Sequence, residues 1–526
     1  MLVAQITRSA ARDSGLTEPR WALTIMRMKR TSSLCLMTFV AVCASLILGA
    51  AAQTTPVALT VDSQLQVRLI KLGGQMMVAG KAYEYDEHLA DDIGPRLTGS
   101  ANYVKAAKWA EAEFRQMGLK DAHGEPWTIP ATWEPVSADA HMIEPHEQHL
   151  YLVSDGWSPS TPEGGIKGYV YYLPDLTADA VKANADKIRG KIVLLDGTSI
   201  IPHLPEGFGK IFDALDMLAG EGAKALVLGL GTTNNAPSMI GNTDFRGTLA
   251  NIVTGNLGEE DTLLLKRLLE KGPVEIEFNF RNRVRRDVTV NNVVAEIPGR
   301  EDNGDYVLVG GHLDSWQPGT GAQDNGTGAA TVLAVAQAVM ASGLQPRRTM
   351  RFVLFGGEEE GLIGSLRYAR AHESDAPRCV GVFVSDSGAE APSGWYVFGR
   401  KDEQDAIGAL KPYLASLGAA DTTDEGEATF ETDEAPFLVE GVPAFVLWTP
   451  MVKYSSLHHK PSDTFDKVNQ RDLNLGAAVV GLTSYAFADT TSELKHYSPQ
   501  EVEDQLKKIN ALKQYKDMQD HKLLGQ

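Results

Sequence analysis

Tyr306-Val307-Leu308-Val309-Gly310-Gly311-His312 is a short apolar run that closes on two glycines and a histidine. Two later stretches repeat the arrangement. Phe352-Val353-Leu354-Phe355 leads through Gly356-Gly357 into Glu358-Glu359-Glu360, and Val380-Gly381-Val382-Phe383-Val384 leads into Ser385-Asp386. A run that is apolar throughout, rather than at alternate positions, reads as a strand buried on both faces, as in a parallel sheet. In open α/β sheets the working side chains collect beyond the carboxyl ends of the strands. His312, Glu358, Glu359 and Asp386 are therefore expected at one mouth.

Outward from these strands, residues 292–297 read as another strand, and residues 328–340 and 405–417 carry helical periodicity. Alternating strands and helices give an α/β fold, a mixed but mainly parallel sheet sandwiched by helices. Upstream, residues 62–123 read as helical, with an amphipathic run at 103–117 that follows Ile93-Gly94-Pro95-Arg96-Leu97-Thr98-Gly99-Ser100. From 125 to 286 the texture changes to short β-like runs rich in Gly, Pro and Asp, with a helical segment at 212–220, and no metal-binding cluster is evident there. This block reads as an inserted, β-rich domain. The expected division is residues 53–124 and 287–526 for the two segments of the main domain, and 125–286 for the insertion. The charged tail, 499–520, is expected to be a surface helix.

With 526 residues, 43% hydrophobic and 22% charged, the chain is long enough for two or more domains with sizeable cores. Its formal charge of -19 excludes nucleic acid and anionic membrane surfaces as partners, because both require a basic footprint. Met28-Lys29-Arg30, the apolar stretch 34–48 and the small residues Gly49-Ala50-Ala51-Ala52 have the three-part pattern of a secretory leader. Residues 1–52 are accordingly expected to comprise an upstream extension and a signal peptide. The apolar segment is short for a membrane span of about 20 residues. The mature protein is thus expected to be secreted or periplasmic, without stable membrane insertion. Of three cysteines, only Cys379 lies outside that leader, so no internal disulfide is expected.

Five side chains, His312, Asp324, Glu359, Asp386 and His459, have the types needed to hold two Zn²⁺ ions. Imidazole and carboxylate suit this borderline cation, and two ions about 3.5–4 Å apart need a bridging group, for which a carboxylate with two oxygens is the natural choice. Asp324 fits that part because it lies in a glycine-containing turn, Gln323-Asp324-Asn325-Gly326-Thr327-Gly328, that opens a helix. An isolated Asp-Asn-Gly is ordinarily only a turn, and an acidic triplet ordinarily a solvated surface run. Here the triplet follows an apolar strand, where three converging carboxylates would be costly without cations. Adjacent residues point in different directions, so one glutamate can bind metal while its neighbour accepts a proton from water. Asp314, two residues beyond His312, is placed to take the other ring N–H or otherwise brace the site.

These motifs, Gly311-His312-Leu313-Asp314-Ser315, Asp324-Asn325-Gly326, Gly356-Gly357-Glu358-Glu359-Glu360-Gly361 and Ser385-Asp386, together resemble those of the M28 family of zinc metallopeptidases. His459-Lys460-Pro461-Ser462-Asp463-Thr464 is similar to that family's His-x-x-x-Asp-Thr element, which favours His459 over His458. Carried over by position, the resemblance implies His312 and Asp386 on one zinc, Glu359 and His459 on the other, Asp324 as the bridge and Glu358 as general base. It further implies that the insertion is a protease-associated domain, and that Thr432-Asp433-Glu434-Ala435-Pro436 lines the cleft. Within the family the arrangement is most similar to the plasma glutamate carboxypeptidase, or carboxypeptidase Q, group. That implies a co-catalytic two-zinc exopeptidase, of aminopeptidase or dipeptidase type, acting on dipeptides or short peptides with a free amino terminus. A homodimer is compatible with the sequence. The alternatives are a non-catalytic, receptor-like member of the fold and a glutaminyl cyclase-like acyltransferase, which needs one zinc rather than two.

Overall fold

The computed structural model describes residues 59–523, apart from 242–244, 302 and 426–428. The leader expected at residues 1–52 lies outside the described residues. In chain order the strands are β1 (Lys120–Glu144), β2 (Gln148–His149), β3 (Leu152–Ser154), β4 (Ile166–Tyr172), β5 (Ile192–Asp196), β6 (Ala225–Gly229), β7 (Thr254–Leu257), β8 (Glu275–Ile297), β9 (Tyr306–His312), β10 (Thr349–Phe355), β11 (Cys379–Val384), β12 (Gly394–Tyr396), β13 (Asp421–Thr423) and β14 (Ala444–Trp448). They form one mixed sheet in the order β13-β12-β14-β11-β9-β10-β8-β4-β5-β6-β7-β3, with β1 lying against β8.

The three apolar runs are neighbours. β9 is central, with β10 parallel on one side and β11 parallel on the other. Their side chains divide between two cores, as burial on both faces requires. Val307 and Val309 of β9 and Phe352 and Leu354 of β10 join one core, while Leu308, Val353 and Phe355 join the other. The first core is covered by the helices Ser63–Ala79, Ala101–Met117, Thr327–Ser342 and Gln470–Asp489. Thr327–Ser342 is buried along nearly its whole length, which its run of Ala, Val and Leu permits. Ala101–Met117 is bounded as its sequence suggests: the Ser100 hydroxyl accepts from the Tyr103 N–H, and Gly118 ends it at φ +89°.

β1 was not legible as a strand, and of β8 only residues 292–297 were. β1 and β8 pair antiparallel from Lys120↔Glu296 to Glu144↔Glu275, a long ribbon with bulges. One end of β8 pairs with β10 and the other with β4, so a single strand joins the β9–β10–β11 part of the sheet to the β4–β7 part. Positions 124/125 and 286/287 fall inside these continuous strands, not in loops. β1 contains Pro126, Pro130 and Pro135, which break a strand pattern in the sequence; over that stretch it pairs only with β8, and an edge tolerates proline. Beyond the ribbon, β4 to β7 are parallel and carry a core on each face.

The C-terminal tail is two helices, Pro499–Lys508 and Leu512–Asp520, instead of the single surface helix expected. Asn510 at φ +63° interrupts them, and Val502, Leu506 and Met518 are buried in the second core. Among the described residues no helix is long and apolar enough to cross a membrane.

Candidate metal centre

His312 is the last residue of β9, Glu358 and Glu359 follow β10, and Asp386 follows β11. Because these strands are adjacent and parallel, their carboxyl ends bring the four side chains to one place, as the apolar runs implied. Asp324 arrives from the turn Ala322–Gly326 that precedes the helix Thr327–Ser342. That turn is tied to its surroundings. Asp463 accepts from the Gln323 N–H at 2.7 Å and from the Asp324 N–H at 3.1 Å, and Asn325 Nδ2 donates to the Ser385 carbonyl at 2.8 Å. A Cβ on Gly328 would lie 2.0 Å from that same carbonyl, so the helix can start this close only with glycine. His459 follows the short helix Val452–Leu457 at φ +59°, and its carbonyl accepts from the Met239 N–H at 2.7 Å.

All six side chains proposed from the sequence for the metals and the base converge. His312 Nε2 lies 3.4 Å from Asp324 Oδ1, 3.5 Å from Asp386 Oδ1 and 3.8 Å from Glu358 Oε2. His459 Nε2 lies 3.3 Å from Asp324 Oδ2 and 3.0 Å from Glu359 Oε2. The two oxygens of Asp324 therefore face different histidines, one on each side. His312, Glu358 and Asp386 offer one set of close ligand atoms, and His312, Asp324 and Glu359 another. Asp324, His458 and His459 make a third. His458 Nε2 is also 3.3 Å from Asp324 Oδ2, and its ring stacks on His459 at 3.7 Å, but only His459 has a recorded contact with Glu359.

The residues fit a cation. His312 Nε2, Asp324 Oδ2 and Glu359 Oε1 are buried with no hydrogen-bond partner, an arrangement that costs free energy unless another group satisfies them. Burial, with the Asp386 and Glu359 charges, pushes the Glu358 carboxyl well above its ordinary range. Burial and Asp324 push Glu359 up to about 7, against the pull of His459. Asp324 is buried too, yet His458, His312 and His459 hold it well below the usual carboxylate range. Burial disfavours a charged ring at His459, but Glu359 and Asp324 outweigh it and raise that group to about 9. So many acidic groups in one buried place is the donor set of a divalent ion.

Asp314 braces the site through a different atom from the one anticipated. The His312 ring meets the backbone carbonyl of Asp314 at Nδ1, 3.1 Å away, while the nearer carboxylate oxygen is at 3.6 Å. The other oxygen accepts from Thr98 Oγ1 at 2.8 Å and the Gly357 N–H at 3.0 Å, with the Glu359 N–H at 3.4 Å. It thus fixes the turn that carries the two working glutamates. Glu360 and Asp433, expected at the mouth, are buried and are not among the residues that line the cleft. Burial raises both, Asp433 to about 7.

Sequence reading gave no role to Arg96 or Asp463. Arg96 is wholly buried and donates to the carbonyls of Leu313 at 2.6 Å, Thr320 at 2.9 Å and Gly321 at 2.8 Å, tying the loop after His312 to the turn bearing Asp324. The segment Gly94-Pro95-Arg96-Leu97-Thr98-Gly99 and the Asp of His-x-x-x-Asp-Thr were the signals, visible as motifs without an assigned partner.

The model of peptidase family M28 matches residues 292–482, the interval holding all six side chains. Carboxypeptidase Q of Mus musculus is 30% identical over 415 residues, covering 78% of this chain and 86% of that protein. The chain belongs to peptidase family M28. It is, accordingly, a metallopeptidase. Carboxypeptidase Q of Homo sapiens is 29% identical over 427 residues, 80% of this chain and 88% of that one. The crystal structure of a peptidase M28 precursor from Shewanella amazonensis superimposes with a TM-score of 0.73 at 28% identity, covering 84% of this chain and all of that one, 100%. BSAP, a zinc aminopeptidase from Bacillus subtilis, shares the fold at a TM-score of 0.60 and 21% identity, over 79% of this chain and 98% of its own.

Proposed function

We propose that this M28 member is a co-catalytic two-zinc exopeptidase that hydrolyses dipeptides or short peptides with a free amino terminus. The observation that carries the reading is the split of Asp324, with Oδ1 facing His312 and Oδ2 facing His459 at 3.4 and 3.3 Å. A carboxylate shared in this way is what two ions need between them. His312 and Asp386 would hold one zinc, Glu359 and His459 the other, and Asp324 both. When bound, the ions supply positive charge that polarises a carbonyl and acidifies water towards neutral pH.

The remaining steps belong to the chain's own groups. Glu358 stands 3.8 Å from His312 Nε2, farther than Asp324 and Asp386, and in this reading its carboxylate takes the proton of the attacking water and returns it to the leaving amine. Asp314 and Thr98 hold the backbone of residues 357–359 and so keep Glu358 and Glu359 in their separate orientations. Tyr454, whose hydroxyl lies 3.4 Å from Asp386 Oδ1, lines the same cleft. Two Zn²⁺ would offset the charges of Asp324, Glu358, Glu359 and Asp386, which leaves Glu431 as the further carboxylate lining the cleft that suits a substrate ammonium.

Residues 125–286 act in this reading as a protease-associated domain that roofs the cleft and excludes long chains. The supporting observation is that the insertion lines the same cleft as the metal centre. In this reading residues 53–124 and 287–526 are the two segments of the catalytic body, and the leader directs export and is then removed.

A panel of dipeptides and short peptides, each tested free and amino-acetylated, examines this directly. Cleavage of the free peptides and little or none of the acetylated ones is expected. Efficient cleavage of acetylated peptides, or of internal bonds in a protein digest, would refute the exopeptidase reading and leave the metal centre standing.

A further inference from the structure

The two histidines read as metal ligands are held by different means. At His312 the outer ring nitrogen, Nδ1, meets the Asp314 carbonyl at 3.1 Å, the kind of bond that ordinarily fixes the angle of a ligating imidazole. At His459 the same nitrogen is buried and has no hydrogen-bond partner among the described residues. Packing and the backbone hold that ring instead. His458 stacks on it with centroids 3.7 Å apart, and Trp316 meets it edge-on at 6.0 Å and 65°. Trp316 and His459 also line one small cavity with Asp324, Lys460 and Asp463.

Trp316 is itself placed by two further indoles. Its ring lies 6.5 Å from that of Trp133 at 69°, and 6.2 Å from that of Trp157 at 86°, the T-shaped arrangement that aromatic pairs favour. Trp133 and Trp157 stack at 6.2 Å and are cross-tied: Trp133 Nε1 donates to the Ser158 carbonyl and Trp157 Nε1 to the Ala131 carbonyl, each at 2.9 Å. All three rings are almost wholly buried. The fit around them is close, since a Cβ on Gly156 would lie 2.3 Å from the Trp316 ring. Met239 adds the backbone N–H that the His459 carbonyl accepts at 2.7 Å. Trp133, Trp157 and Met239 all lie outside the interval 292–482 that the family model matches, so segments beyond the one bearing the ligands pack against a ligand.

We infer that Trp316 is a positioning residue for His459, and that the Trp133–Trp157 pair, acting through it, sets how tightly the zinc ion on His459 and Glu359 is held. The inference rests on the two-zinc reading above for the role of His459. The Trp316 indole N–H is buried without a partner, so the ring acts by its shape and not by donating. An imidazole already held at its angle binds an ion without further ordering, whereas a loosened one must give up rotamer freedom as the ion enters. That cost falls on affinity.

The test is stepwise zinc binding to the metal-free protein, followed by competition with a chromophoric chelator, with thermal unfolding of the same metal-free samples. Wild type should bind two ions, and Glu359→Gln identifies the step that belongs to the His459 side. Trp316→Leu should weaken that step about 10–100-fold, the usual worth of groups that orient a ligand, and change the other far less. Trp316→Phe keeps a flat ring and should recover most of the loss. Gly156→Ala alters no ring but crowds Trp316, and should weaken the same step. Lower thermal stability of Trp316→Leu with both zinc affinities unchanged, or equal weakening of both steps, would make Trp316 a core residue only and overturn the inference. If Trp316→Leu does not fold, Gly156→Ala decides: unchanged affinity at the His459 step overturns the inference and selective weakening supports it. A wild-type protein that binds a single ion would refute the two-zinc reading separately, and the affinity of Trp316→Phe and Gly156→Ala for that ion, compared with wild type, would still decide whether Trp316 positions a ligand.

Discussion

Replacing Asp463 with alanine separates support of the metal centre from membership of it. Its carboxylate, almost fully buried, accepts from the Gln323 and Asp324 N–H groups at 2.7 and 3.1 Å. Removing both acceptors leaves two buried backbone donors unmet at about 1–3 kcal/mol each, hence a total of about 2–6 kcal/mol. Part of this cost falls on global stability. The rest falls on the position of Asp324, because its own N–H is one of those released, and loss of groups that orient a ligand typically weakens metal binding about 10–100-fold. Asp463→Asn keeps one acceptor oxygen but turns an amide N–H₂ towards the other donor, so it should fall between wild type and alanine. Zinc affinity, measured by competition with a chromophoric chelator, and thermal unfolding of the metal-free protein report the two components. If Asp463→Ala bound zinc as tightly as wild type, the two hydrogen bonds would have no part in placing Asp324, and the account of how that turn is held would be wrong.

Glu358→Gln should keep near-normal metal content and fold while lowering turnover by about 10²–10⁴, the usual worth of a general base, whereas Glu359→Gln should lose metal; near-normal turnover in the first would refute the base assignment. The His372–Glu125 contact, 3.0 Å, ties the end of the helix Ile363–Ala371 to β1, and its hydrogen bond to Glu125 raises the His372 pKa above its ordinary value. A raised folded-state value contributes stability fully present below about pH 6.5 and lost as pH climbs through the folded pKa. Glu125→Gln should therefore lower the unfolding free energy of the protein at pH 6 by a small amount, within about 1 kcal/mol for a partly exposed pair, and by less at pH 9. A pH-independent difference would count against the linkage.

The strands were readable because their signal is local: Tyr306 to Val309 is apolar at every position, and its burial between two cores follows from that alone. The ligand set was readable for the same reason, each residue standing at a strand end or a turn. What joins these pieces is not local. Arg96 reaches Leu313, Thr320 and Gly321 across more than 200 positions, and nothing near Arg96 in the chain names those carbonyls. The directions of Glu358, Glu359 and Glu360 depend on a turn whose backbone is fixed by Thr98 and Asp314, so the sequence could say that they diverge but not that Glu360 would be the one left out of the cleft lining. The choice between His458 and His459 turned on a motif; in the fold both rings reach Asp324, and the recorded contact with Glu359 distinguishes His459. The ribbon β1–β8 escaped notice because prolines and charged residues mask a strand that is exposed over much of its length. The apolar part of the cleft escaped notice because residues such as Phe208, Phe212, Leu366 and Met518, which line it, are far apart in sequence.

The central claim, that Asp324 lies between two ions, is tested most directly by counting metal per chain in the purified protein while a chelator is titrated in and activity is followed. Two zinc ions per chain are expected in the active enzyme, with activity falling as metal is withdrawn, falling also in acid as protons compete for His312 and His459, and returning when Zn²⁺ is restored. A fully active enzyme holding one ion per chain, or none, would contradict the account.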